Sequence, residues 1–214
     1  MNANFISAAA AAASAAPASQ PSNAADALIG AAHLLLTHLE RGVTIDARAL
    51  RTAMIASFGA SDAEGTWDWK TAYDACEAAQ VLFLRKFGPA MRERAASRCR
   101  FLAMLTKLAA LLPSHTRRSE ESQALQQFST PIGLGFVASA AAAITPADVV
   151  LEPSAGTGLL AIHAELGGGS LVLNEIAETR ADLLVVCFPL SASSGSTPRI
   201  STTISTRPYA LRSR

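Results

Sequence analysis

Val149-Val150-Leu151-Glu152-Pro153-Ser154-Ala155-Gly156-Thr157-Gly158-Leu159-Leu160 is the stretch on which the reading of this chain turns. An apolar run ends in an acid, bends through small residues and two glycines, and resumes as an apolar helix. Open α/β sheets bind nucleotide-type cofactors at such strand–turn–helix junctions, outside the carboxyl ends of the strands. Gly156 and Gly158 carry no Cβ, so the backbone can come close to a ligand. Glu152 falls where the strand ends. A second short strand, Ser170 to Asn174, leads to Glu175, an acid placed to accept ribose hydroxyls.

Three nucleotide folds place glycines after a first strand. A P-loop needs Gly-Lys-Ser/Thr to hold its phosphates, and Leu159 follows Gly158, which excludes it. A dinucleotide fold needs G-x-G-x-x-G/A and a later acid, and Gly156, Gly158, Ala161 and Glu175 satisfy both. The glycines alone therefore leave open a fragment of an NAD(P)-dependent oxidoreductase.

Two further elements favour another cofactor. Glu152-Pro153-Ser154-Ala155-Gly156-Thr157-Gly158 resembles the first motif of class I S-adenosylmethionine-dependent methyltransferases, in particular the amino-methylating DNA enzymes of N6-adenine type. Upstream, Phe128-Ser129-Thr130-Pro131 is similar to the element that precedes the first strand in those enzymes. Asn174-Glu175 is similar to their second motif. Gln127 through Leu184 further resembles the amino-terminal methylase part of bacterial strawberry-notch-like proteins, in which a methylase-like domain is joined to a helicase. The helical region from Ala24 to Leu112 fits that context through less specific residues. The resemblance implies S-adenosyl-L-methionine as cofactor, held by Thr130, Pro131, Glu152, Pro153, Ser154, Ala155, Gly156, Gly158, Asn174 and Glu175. Thr130 and Pro131 would close over its methionine end, and Glu175 would hold its ribose. It also implies DNA as substrate of the whole protein and a helicase domain or partner.

Amino methylation of a base needs a second constellation, an Asp/Asn/Ser-Pro-Pro-aromatic loop whose acceptors hold the amine while the ring stacks on the flipped base. No Pro-Pro occurs in this sequence, and Phe188-Pro189-Leu190 lacks both the acceptor and the following aromatic. Two parallel strands can be counted, so the expected fold is truncated and no residue is assigned to catalysis. After Asp182 the chain has no acid, while Arg199, Arg207, Arg212 and Arg214 stand among many Ser and Thr. This Ser/Thr/Arg-rich tail, 187–214, reads as disordered or as the product of a frame shift. Codons compatible with Gly195 to Thr206, displaced by two bases, can encode an acidic amphipathic segment.

Bulk properties bound the rest. The chain has 214 residues, 50% of them apolar with Ala a large share, and a net charge of +1, which gives no overall basic excess for nucleic-acid binding. Cys76, Cys99 and Cys187 show no ligand spacing, and His33, His38, His115 and His163 form no pair at i and i+4. No metal is expected, and the thiols suit a reducing compartment. Cys76 and Cys99 are read as packing residues. The Ala/Ser/Pro-rich start lacks the cationic region of a signal peptide, and no run approaches the length of a membrane span. A soluble, cytoplasmic protein is the expectation.

Four helices are expected before the cofactor motifs. Leu28, Leu35, Leu36 and Leu39 mark the first, closed by Gly42. Asp46 to Phe58 form the second, closed by Gly59. Ser61 and Glu64 make a capping box, after which Trp69, Tyr73, Cys76 and Phe83 line a third. Pro89 suits the first turn of a fourth, ending before Pro113. The cluster of Arg85, Lys86, Arg92, Arg94, Arg98 and Arg100 reads as a solvated face, or as phosphate contacts within a DNA-modifying parent.

The expected class is thus α/β: a helical amino-terminal region followed by the first βαβ part of a Rossmann-like methyltransferase fold. The divisions are a disordered leader at 1–23, helices at 24–112, a linker at 113–126, a cofactor-binding part at 127–186 and the tail. The expected function is the donor half of a DNA methyltransferase/helicase, inactive alone and marginally stable. The alternative from another class is a non-catalytic interaction module for a helicase.

Overall fold

The computed structural model describes residues 24–113 and 129–189, and the backbone of residues 199–200. The leader, the linker beyond Pro113, and the tail at 190–198 and 201–214 lie outside the described residues, as does most of the displaced-frame segment.

Local chemistry sets the first helices. In α1 (Ala24–Glu40) Leu28, Ala31, Ala32, Leu35 and Leu39 recur at helical spacing and are buried. Gly42, at φ 64°, closes it in the left-handed region. The Asp46 carboxylate accepts the Ala49 N–H at 2.7 Å and starts α2 (Ala47–Phe58), which Gly59 closes at φ 74°. Glu64 does accept from the Ser61 N–H at 2.8 Å, but this box shapes a single 3-10 turn, Asp62–Glu64. The next helix starts from Asp68, whose carboxylate accepts the Thr71 N–H at 2.7 Å.

That helix, α3 (Trp69–Ala95), differs from the expectation. It runs 27 residues straight through Pro89, where a new helix was expected to begin. A proline strains the residue before it largely through that residue's Cβ; here Gly88 precedes it and has none. The break comes later, at Ala96 (φ 54°), and the Ser97 hydroxyl caps α4 (Arg98–Ala109) by accepting the Arg100 N–H. Every residue of α3 from Ala72 to Val81 is buried, so this stretch has no solvent face. Four alanines within it let neighbours approach from all sides, and α3 packs against α1, α2 and α4.

Beyond the undescribed linker come α5 (Ile132–Ala141), β1 (Val149–Glu152), α6 (Ala161–Leu166), β2 (Ser170–Leu173), α7 (Glu178–Cys187) and β3 (Arg199–Ile200). β1 and β2 run parallel, Val149 beside Ser170 and Glu152 beside Leu173. Where two strands were counted from sequence there is a third: Arg199–Ile200 pair parallel to Val172 and Leu173, giving the order β1-β2-β3. The residues just after α7 are also ordered, with Phe188 fully buried.

The molecule is therefore mostly helical with a small parallel sheet, a mixed α/β arrangement. One apolar core runs from Leu28 and Leu35 in α1 through Leu84 in α3 to Leu173, Leu184 and Phe188. α3 joins the two parts, since it also packs on α6 and α7. At their crossing a Cβ on Gly88 would stand 2.8 Å from Leu166.

Two smaller expectations change. Cys76 is buried as expected, but Cys99 lies exposed in the first turn of α4 and packs against no core. The basic cluster is divided. Arg85 donates to the Cys187 carbonyl and pairs with Glu165, Lys86 pairs with Glu40, and Arg92 donates to the Leu166 carbonyl. These three fasten α3 to its neighbours, leaving Arg94, Arg98 and Arg100 exposed. Among the described residues no helix is long and apolar enough to cross a membrane.

A candidate ligand pocket at the glycine turn

β1 ends at Glu152, and the chain turns back through Gly156 (φ 57°) and Gly158 (φ 93°) before α6 begins. The turn is laced to the end of β2. Asn174 N–H donates to the Glu152 carbonyl, Ala155 N–H to the Asn174 carbonyl, both at 2.9 Å, and the Asn174 amide to the Pro153 carbonyl at 3.0 Å. Strand ends fixed in this way leave a hollow outside the sheet.

A cavity of about 320 Å³ fills that hollow, and its walls include Thr130, Glu152, Pro153, Ser154, Ala155, Gly156, Asn174 and Glu175. Three segments far apart in sequence meet there. Of the residues expected to bind cofactor, only Pro131 and Gly158 stand outside the wall. Pro131 is the residue preceding α5. Gly158 faces the other way, and its reason is packing: a Cβ there would lie 2.3 Å from the Phe188 ring. Of the two glycines, Gly156 alone borders the cavity.

The two acids at the strand ends differ. Glu152 is half-buried, and its carboxylate accepts one long bond, from Ser154 N–H at 3.3 Å. It is largely available to a ligand. Glu175 is 6% exposed and accepts from Gly156 N–H at 2.7 Å and from Ile176 and Ala177 N–H at 2.9 Å. A carboxylate has about four acceptor positions, so three are spent on shaping the loop and one on Oε2 is left. Its first task is to hold the glycine turn.

Beneath the cavity lies a charged cluster that the motif reading missed. Arg180 of α7, which lines the cavity, donates to both oxygens of Asp74 in α3, at 2.7 and 3.3 Å. Lys70 stands 3.2 Å from the same carboxylate. One turn along α3, Glu77 accepts the Thr157 hydroxyl at 2.7 Å and that of Ser129. Glu77 is 1% exposed, and burial beside Asp74 pushes its carboxyl up to about 7. The available signal was Asp74 and Glu77, three apart on one side of an alanine-rich helix: like charges on a buried face need a cation, and Arg180 supplies it.

A second cavity, about 390 Å³, opens on the far side of α6 between Arg92, Arg98, Phe101, Phe136 and His163. His163 donates from Nε2 to the Ile132 carbonyl at 2.8 Å, while its buried Nδ1 has no partner. Burial depresses this imidazole to about 4 and keeps it neutral.

No protein-family model, curated protein or solved structure matches this chain.

Proposed function

We propose that the cavity at the glycine turn binds S-adenosyl-L-methionine and that the chain is the donor half of a DNA-modifying methyltransferase of amino-methylating type. One observation carries the reading: Thr130, Glu152 to Gly156, and Asn174 with Glu175, three separate segments assigned to this cofactor from sequence, line one cavity. On this reading β1, α6 and β2, followed by α7 and β3, are successive crossover units of a Rossmann-like sheet.

The residues present suit the group. Glu152 offers a carboxylate to a ligand ammonium or hydroxyl, the last lone pair of Glu175 accepts one further hydroxyl, and Leu159, Leu160 and Ile176 supply apolar wall. Thr130 and Ser154 add hydroxyls at the rim. When bound, the cofactor supplies an electrophilic methyl on a sulfonium. The chain's own part is to hold and orient it and to keep Arg180 paired, so that no free cation faces it. The sequence has no Pro-Pro-aromatic loop to grip a base, so methyl transfer would need a partner domain that brings the DNA, with a helicase the expected companion.

The nicotinamide reading is the weaker one. In a dinucleotide fold the second glycine lets the backbone approach the pyrophosphate, but here Phe188 occupies that approach at Gly158. The test is ligand-induced stabilisation: S-adenosylhomocysteine should raise the thermal midpoint of the purified chain in a saturable way, and NAD should not. The reverse order would replace this reading with the oxidoreductase one.

A further inference from the structure

Ser129 and Thr157 both line the cavity, one on the segment leading into α5 and the other between the two glycines. Both hydroxyls bond one carboxylate, that of Glu77, which comes from neither segment but from the middle of α3. Thr157 is itself buried, and Glu77 lies eighty positions before it in the chain. A hydroxyl bonded to an ionised, buried carboxylate is held more firmly than by a neutral acceptor. A single, almost fully buried side chain thus joins the two segments.

We propose that Glu77 is the positioning residue of this pocket: it fixes the separation of the glycine turn from the Ser129–Thr130 lip, and its charge tunes the pocket toward a cationic ligand. The second clause rests on the proposed cofactor. The charged groups around it are Asp74 and Lys70 on α3, Arg180 on α7 and Glu175 after β2, with the Cys76 thiol adjacent on its own helix. With Glu77 ionised these sum to one excess negative charge; with Glu77 protonated they balance. Its burial places that change near neutral pH. A sulfonium ligand gains from the excess charge, and a neutral thioether gains much less.

The deciding experiment has a ligand-free arm and a ligand arm. In amide NMR spectra from pH 5 to 9, the Ser129, Gly156 and Thr157 signals should share one inflection in the wild type. Glu77→Gln, which keeps the size and an acceptor oxygen, should abolish the inflection without loss of dispersion. Glu77→Ala should speed hydrogen exchange at Gly156 and Thr157, and Glu77→Gln should not. An inflection that persists in Glu77→Gln, or unequal inflections at the two segments, overturns the positioning role. In the second arm, S-adenosylmethionine should bind several-fold more tightly at pH 8 than at pH 6, with S-adenosylhomocysteine nearly unchanged and Glu77→Gln flat for both. Parallel pH dependence of the two ligands overturns the charge clause. Binding of neither ligand at any pH overturns the cofactor reading and with it that clause, while the ligand-free arm still decides the positioning role.

Discussion

The ring of Phe188 lies against Gly158 so closely that a Cβ on the glycine would stand 2.3 Å from one ring carbon and 2.8 Å from another. The glycine's φ of 93° is a second reason why no other residue fits. Gly158→Ala should therefore destabilise the chain by about 3 kcal/mol or more, through overpacking and backbone strain. The check is urea unfolding without ligand. A double variant with Phe188→Ala should lose less than the sum of the single losses, because the overpacking partner is gone.

Glu152 gives the opposite pattern. It is half-buried and makes one long side-chain bond, so Glu152→Ala should change stability by no more than about 0.5 kcal/mol. Calorimetric binding of S-adenosylhomocysteine should nevertheless weaken at least several-fold. A variant that loses stability and keeps affinity would remove Glu152 from the site.

Breaking the buried pair beneath the pocket should be costly. The side chains of Asp74 and Arg180 are 5% and 6% exposed, and removal of Arg180 leaves Asp74 with Lys70 as its remaining counter-charge and the Glu77 acid beside it. Arg180→Met alone should cost about 3–5 kcal/mol, whereas joint replacement with Asp74→Leu should recover much of that. Chemical denaturation of the three variants measures it. Equal losses in the single and double variants would show that the pair is not the cause.

Glu77 and His163 should make stability nearly level where their windows overlap. Glu77 is raised from 4.5 to about 7, so the stability it contributes is complete below pH 4.5 and is lost as the pH climbs through 7. His163 is lowered from 6.5 to about 4, so its contribution is complete above pH 6.5 and is lost as the pH falls through 4. Between about pH 4.5 and 6.5 the two slopes oppose. Glu77→Gln should then give stability that rises with pH across this interval, and His163→Phe stability that falls. Denaturation midpoints at half-unit steps would reveal the tilt, each on the order of 3 kcal/mol across its whole window.

What could be read from the sequence was whatever short-range chemistry determines. Asp46, Gly42 and Gly59 sit at helix ends because capping is decided within a turn of chain. The motif residues converged because strand ends and glycine turns are local devices as well. Pro89 misled because the relief given by Gly88 and the packing of α3 on α6 outweigh the usual breaking tendency. Gly158 was given a ligand when its neighbour is Phe188, thirty residues on, a contact that no local pattern encodes. Asp74, Glu77 and Arg180 escaped notice for the same reason: a buried acid on an alanine-rich helix looks like a solvated one until its cation is located.

The sheet also has a bare side. Val149 and Leu151 on β1 are 71% and 65% exposed, and β1 has no neighbour among the described residues on its outer edge. Unpaired strand edges with apolar side chains associate readily. Light scattering should rise with protein concentration and fall in the double variant Val149→Thr, Leu151→Lys at unchanged helical content; scattering that is the same in both would clear this edge.

The bond from Arg180 to Asp74 joins residues 106 positions apart. During synthesis the long central helix emerges early, with two carboxylates on a face that has nothing yet to close it, and only Lys70 nearby. The neutralising guanidinium follows after a further hundred residues. The floor of the hollow therefore cannot close until α7 has been made, however early its acidic half is folded.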